Sequence, residues 1–438
     1  MSQEEDLTEL AAPAPVQNVE EDTRYRREEN LEEAESEAAE PPTLGRTEPY
    51  KQVKQKPSEL ATLIYTVSYL IFFSLFGTLA RLGVQWLTFY PGAPVVTPVL
   101  WANFSGSLVM GFLSEDLRLF REEWGDSEQS SSEKDQSAFK KAHGKVKKSI
   151  PLYIGLATGF CGSFTSFSSF VRDVFLALSN SLPTPVDHPY GASTALSFSS
   201  TVHRNGGYSF MALVAVIILT ISLSLSALQI GAHVALALDR WTPTLPFRFT
   251  RRILDPVIAF LAIGCWLGAI FLSIFPPDRP GGPASRGAWS NEVWRGEVLF
   301  ALVFAPLGCL LRWYASLKLN ALLPSFPLGT FVVNVFGTAV LGACYDLQHV
   351  PLLPAAGLVG GGRVGCQVLQ GVEDGFCGCL TTVSTWVTEL QGLRRRHAWV
   401  YGAASVVTSL ALLVVIMGSV RWTTGWDASV CVTMRTSM

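Results

Sequence analysis

Charge is scarce in this sequence. Only 16% of its 438 residues are Asp, Glu, Lys or Arg, while 49% are hydrophobic. Soluble domains carry about a quarter charged residues, so this balance excludes an ordinary soluble enzyme and fits a polytopic membrane protein. The charge that is present is segregated: residues 1–50 hold 15 acidic and 4 basic side chains, so the net charge of −3 conceals a basic remainder. Histidine is also rare, at six residues, and the eight cysteines form no regular framework. Cys161, Cys265, Cys309, Cys344, Cys377 and Cys379 fall in or beside apolar runs, where cysteine behaves as a small hydrophobe. Neither a disulfide nor a zinc site is expected; Cys377-Gly378-Cys379 lacks His or Cys partners nearby. Large apolar side chains are almost missing from residues 1–60. That stretch is expected to be a disordered acidic tail without a secretory leader, because it cannot bury enough surface to fold alone.

What the sequence does hold is a series of apolar runs. A bilayer-spanning helix needs about 20 mostly apolar residues. Nine spans are read, near 63–86, 95–113, 151–178, 208–238, 253–275, 297–317, 328–345, 368–390 and 399–420. The eighth is weak, since Glu373 and Asp374 stand just before Gly375. A charged stretch at that depth must pack on protein or line water.

Three motifs occur twice, in the same order. Gly77-x-x-x-Arg81 matches Gly308-x-x-x-Arg312. Asn103-x-x-Gly106, followed by Gly111, matches Asn334-x-x-Gly337, followed by Gly342; both pairs share an offset of 231 residues. GFCGSFTSFSSF at 159–170 matches GFCGCLTTVSTW at 375–386 at an offset of 216, and an acid follows each copy, Asp173 and Glu389. The chain is therefore read as an all-α membrane protein of two four-helix repeats. Residues 1–60 are the tail, 61–238 the first repeat, 239–296 a linker with its own span, 297–421 the second repeat and 422–438 a C-terminal tail. Equivalent helices lie an odd five crossings apart, so the second repeat is inverted, with a site expected where the two meet near the midplane. The third helix of each repeat is read as broken at its paired small residues. Loop Lys and Arg number 20 on the N-terminal side and 7 on the other, which places the N-terminus in the cytoplasm and the C-terminus outside.

A cation path would show acidic rings or exposed carbonyls, whereas an anion path needs donors. Asn103 and Asn334 each offer an amide NH2 at mid-membrane depth. Thr165, Ser166, Ser168, Thr381, Thr382 and Ser384 offer hydroxyls, and Phe167 and Phe170 offer the positive edges of their rings. Tyr401, Ser405 and Ser409, at i, i+4 and i+8, form a polar stripe on the ninth span. The first repeat is read as lacking it, since Tyr208 is followed by Ala212 and Val216 at those spacings. Each residue also has a plainer reading. Membrane Ser and Thr most often bond the carbonyl four residues back. Asn103 can glue helices, the paired glycines allow close packing, and Arg81 and Arg312 cap carbonyls or face an aqueous vestibule. Helix breaks at Gly162/Ser163 and Gly378 would also free backbone carbonyls of the kind that suit a bare alkali cation.

These motifs, in this order on a four-helix unit, resemble the CrcB-type fluoride channels. The duplicated form with a linking helix resembles the eukaryotic fluoride export proteins. The resemblance covers about residues 63–420. It implies a passive, fluoride-selective channel, not an enzyme, that releases F⁻ from the cytoplasm across the plasma membrane and protects against fluoride toxicity. It implies a monomer acting as an internal pseudo-dimer, with fluoride and membrane lipid as partners and no nucleic acid. Asn103 and Asn334 would line pores, with Phe167, Phe170, Trp386, Ser384, Tyr401, Ser405 and Ser409; Arg81 and Arg312 would face the vestibule. The carbonyls of Gly162, Thr165, Gly378 and Thr381 would hold a structural Na⁺. Val383 and Trp386 depart from the family's paired phenylalanines, which implies one working pore and one vestigial pore. The competing reading is a proton-coupled exporter of small cations or drugs, also built from inverted repeats. It needs a membrane-embedded carboxylate, and the interiors of the first and sixth spans carry none.

Overall fold

The computed structural model describes residues 59–90, 93–120, 146–182, 205–285, 287–353, 358–427 and 429–431. The expected tail lies almost wholly outside the described residues, as does most of the basic loop after the second span. The helices are α1 (Glu59–Thr88), α2 (Val99–Glu115), α3 (Pro151–Leu178), α4 (Gly206–Ala237), α5 (Phe247–Ile274), α6 (Arg295–Leu319), α7 (Leu328–His349), α8 (362–392) and α9 (Arg395–Thr423). Among the described residues, seven helices are long and apolar enough to cross a membrane: all of these except α2 and α8. The first is only 17 residues long, and the second carries the charges noted above. A two-stranded antiparallel pairing of Pro351–Leu353 with Leu358–Val359 adds a small β element to an otherwise helical chain.

Local chemistry sets the helix boundaries. Pro151 opens α3 at its first position, where a missing N–H costs nothing. Asn205 caps α4, its Oδ1 accepting from Tyr208 N at 3.1 Å. In α3 the backbone widens into π turns over Gly155–Cys161, tightens over Gly162–Phe164 and then breaks. Thr165 and Ser166 are extended, at φ −95°, ψ 152° and φ −141°, ψ 117°, and the helix restarts at Phe167. The same sequence of shapes recurs in α8: π turns over Val372–Cys377, Gly378–Leu380, an extended Thr381, and a restart at Ser384. Single π turns inside α-helices are often found at functional sites.

Packing gathers the two broken helices at the centre. The first part of α3 lies on α1, and the first part of α8 on α6. Both approaches are close. A Cβ on Gly77 would stand 2.6 Å from Phe160 O, and one on Gly308 would overlap Phe376 O, its counterpart. Beyond the breaks, α3 packs against α4, α7 and α9, while α8 packs against α2, α4 and α9. The largest buried cluster joins Phe167, Phe170, Val174 and Phe175 to Val383, Trp386, Val387, Leu413 and Met417. By contrast α5 leaves Phe260, Ile263, Leu267 and Phe271 exposed.

One expectation is corrected here. Cys366, at the start of α8, is joined by a disulfide to Cys431, with Cα atoms 5.6 Å apart. These two cysteines lie outside the apolar runs that made cysteine look like a packing residue. Trp426 Nε1 donates to Asp346 Oδ1 at 2.9 Å and Asp427 N to His349 O at 2.9 Å, so the residues after α9 return to the end of α7.

Candidate functional site

The two breaks cross and cap one another. A helix that restarts leaves its first N–H groups without intrahelical acceptors. Here α3 and α8 supply acceptors to each other. Thr165 Oγ1 accepts from Val383 N at 3.2 Å and Ser384 N at 3.1 Å, and donates to Cys161 O at 3.2 Å. Thr381 Oγ1 accepts from Ser168 N at 3.0 Å and donates to Cys377 O at 2.9 Å. Ser384 Oγ donates to Cys161 O at 3.1 Å, so this residue belongs to the crossover and its proton is already used there.

Asn103 and Asn334 brace the breaks from the side. Asn103 Oδ1 accepts from Ser166 N at 2.8 Å and its Nδ2 reaches Ser166 O at 3.5 Å. Asn334 does the same to Thr382, at 2.9 and 3.3 Å. Each amide thus stands in for a peptide group at a break, with one N–H left over. Both side chains are fully buried.

The arginines do not face a water-filled vestibule. Arg81 and Arg312 are 1% and 2% exposed. Arg81 Nη1 donates to Ser163 O at 2.9 Å and Nη2 to Asp374 O. Arg312 donates from Nη1 to Gly162 O at 2.6 Å and Thr381 O at 3.5 Å, and from Nη2 to Thr158 O at 2.6 Å. The plainer reading, capping of carbonyls, is the one the geometry gives.

A buried pair of hydroxyls is present on both α9 and α4. On α9 the buried positions run Tyr401, Ser405, Ser409, Leu413, Met417. On α4 they include Val216, Thr220, Ser224 and Leu228. Gly342 of α7 meets Leu413, and the equivalent Gly111 of α2 meets Leu228. That contact fixes the register, pairing Thr220 with Ser405 and Ser224 with Ser409. Tyr208 lies two turns before the position on α4 that corresponds to Tyr401. The true difference is Val216 in the place of Tyr401. Ser409 Oγ and Ser224 Oγ are both buried without a hydrogen-bond partner among the described residues, and so is Ser107 Oγ on α2. Ser405 Oγ donates to Tyr401 O at 2.8 Å.

The rings are asymmetric. Phe167 meets Trp386 edge-to-face at 5.2 Å between centroids and 69°, and Phe170 at 5.7 Å and 79°. Val383 offers no ring. The Trp386 Cζ2 edge faces Gly402, on the same face of α9 as Ser405 and Ser409, and its Nε1 has no partner among the described residues. The acids do not simply end their helices in water. Tyr401 OH donates to Glu389 Oε2 at 2.6 Å, and Thr330 Oγ1 to Glu389 Oε1 at 2.6 Å. Asp173 and Glu373 flank Arg172, at 3.0 and 3.9 Å, and Gln370 Nε2 donates to Asp374 at 2.7 Å.

The family model described as CrcB-like protein, Camphor Resistance (CrcB) matches residues 68–232 and again 299–419. The chain belongs to the CrcB family. This CrcB chain is 59% identical over 394 residues to Fluoride export protein 1 of Neurospora crassa, covering 86% of this chain and 71% of the relative. It is 33% identical over 359 residues to Fluoride export protein 1 of Candida albicans, covering 81% and 79%. Over 139 residues, 30% of this chain, it is 37% identical to 99% of the Fluoride-specific ion channel FluC of Pseudomonas aeruginosa. No solved structure matches it. The Na⁺ that the resemblance implies does not fit the donor set of this CrcB chain. Two of its four carbonyls, Gly162 O and Thr381 O, accept from Arg312. A second guanidinium lies against Gly378. Two like charges about 4 Å apart repel by about 4 kcal/mol at an effective dielectric of 20.

Proposed function

We propose that this CrcB chain is a passive, fluoride-selective channel that lets F⁻ leave the cytoplasm and so protects against fluoride. The names of its relatives support the ion. The observation that carries the reading is a buried series of donors beside the crossover: the spare Asn334 N–H, Ser409 Oγ and Trp386 Nε1, the last two with no partner among the described residues. An anion entering a low-dielectric bundle must exchange its hydration for such groups, which cost nothing to reorganise once they are fixed in place. Fluoride-electrode efflux from proteoliposomes tests this. Efflux is expected to persist in excess chloride, and chloride blocking or replacing fluoride would refute selectivity.

One working conduit is proposed on the Asn334 side, where Phe167, Trp386, Tyr401, Ser405 and Ser409 gather. Because both repeats keep a hydroxyl pair, the asymmetry rests on Tyr401 against Val216 and on the ring positions. Trp386→Phe keeps a ring and removes its N–H. It is expected to lower fluoride flux per folded molecule about tenfold, the cost of roughly one hydrogen bond to a charged ligand. Unchanged flux would remove the indole from the conduit.

The proposed architecture has nine spans, α2 and α8 included, in two inverted repeats that act as one pseudo-dimeric monomer. The exposed face of α5 suits lipid. The plasma membrane is proposed, with the N-terminus inside and the C-terminus outside. The disulfide supports this, since Cys366 and Cys431 then share the oxidising exterior. After reduction of intact cells, an impermeant maleimide is expected to label wild type but not Cys366→Ser/Cys431→Ser. Labelling only after permeabilisation would reverse the orientation.

A further inference from the structure

We propose that Arg81 and Arg312 are the resident cations of the crossover, and that the channel therefore needs no alkali ion there. Each guanidinium reaches into the opposite repeat at an equivalent position: Arg81 to Asp374 O, Arg312 to Thr158 O. Each also holds a carbonyl at its own repeat's break or at the facing one: Ser163 O, and Gly162 O with Thr381 O. Each lies against a glycine of the opposite repeat, Gly378 for Arg81 and Gly162 for Arg312, where a Cβ would overlap the guanidinium. The glycines thus make room for a planar cation.

The acceptors explain why two buried positive charges are tolerated. Gly162 O, Ser163 O and Thr381 O lie at the interrupted ends of α3 and α8, where a helix presents partial negative charge, and Thr158 O and Asp374 O lie in the π turns before them. A guanidinium's rigid fork of five donors matches several carbonyls at once, which a spherical ion does through coordination instead. Among the described residues no carboxylate lies within ion-pair distance of either arginine. At contact distance their charge is met by carbonyl dipoles. Guanidiniums already seated on these carbonyls repel a further cation at the same place.

The test uses the full chain in two independent measurements. Fluoride efflux from proteoliposomes is measured in Na⁺ and in N-methylglucamine medium; this arm rests on the fluoride reading. Equal flux within twofold is expected, and a tenfold loss restored by Na⁺ would overturn the proposal. Thermal unfolding of the detergent-purified protein is followed with and without Na⁺, and this arm needs no transport. No Na⁺-dependent shift is expected for wild type, and a rise of several degrees would overturn it. Arg312→Gln exposes the carbonyls of Gly162 and Thr381 and is expected to acquire a Na⁺-dependent rise; a folded variant indifferent to Na⁺ counts against the proposal. If Arg312→Gln does not fold, Arg81→Gln is read in the same way. Absence of flux in both media would sink the fluoride reading and leave the unfolding result to decide this one.

Discussion

Asn334→Asp is expected to reduce fluoride flux per folded molecule by at least about 100-fold. The change is one atom, yet it acts three times. Asn334 Oδ1 accepts from Thr382 N, and Asp keeps that bond. Asn334 Nδ2 reaches Thr382 O at 3.3 Å, and Asp sets oxygen against oxygen at that distance. The remaining N–H is lost, and a negative charge is placed beside the path of an anion, in a residue with no exposure. Losing a donor to a charged ligand costs about 1.5–3 kcal/mol, and an unpaired buried charge costs more; a tenfold change in rate is 1.36 kcal/mol. Asn103→Asp makes the same insult to Ser166. With one working conduit it should reduce flux far less than Asn334→Asp. If each variant merely halves flux, both conduits conduct equally and the single-conduit proposal fails. Growth in fluoride reports the same contrast in cells.

Gly308→Ala is expected to abolish accumulation of folded protein, whereas Gly83→Ala should be silent or slightly stabilising. The two glycines sit in the corresponding helices α6 and α1. A Cβ on Gly308 overlaps Phe376 O and stands 2.9 Å from Leu380 N, so backbone would have to move on the helix that carries the second break. Overpacking a core costs about 1–3 kcal/mol where side chains can yield, and more where they cannot. Nothing lies within 4 Å of a Cβ on Gly83, and alanine is the better helix former by about 1 kcal/mol. Fluorescence-detected gel filtration distinguishes the two. A monodisperse Gly308→Ala protein at wild-type yield would show that the α6–α8 approach is looser than described.

Much of the site was legible before any coordinates, because it depends on spacing. The paired motifs place Gly77 and Gly308, Asn103 and Asn334, and the two breaks, and the geometry brings these together as expected. Three features were not legible, each for a physical reason. The register of α4 against α9 is set by where Gly111 and Gly342 touch Leu228 and Leu413; an aromatic at the wrong depth, Tyr208, looked like the better anchor. The Thr220-x-x-x-Ser224 spacing is the sequence signal for that register. The direction of a long side chain cannot be read from spacing, so Arg81 and Arg312 were given to a vestibule although their guanidiniums lie at the breaks. The disulfide escaped because Cys366 and Cys431 are 65 residues apart in sequence, and their meeting depends on the return of the chain after α9.

The exchanged threonine hydroxyls have a mechanical consequence. Neither copy possesses a complete helix start of its own, because residues 383 and 384 are completed by residue 165, and residue 168 by residue 381. A change at either threonine therefore reaches both helices, since each hydroxyl also donates to a carbonyl of its own helix. The two starts are thereby tied into one unit, and neither can be repacked without moving the other.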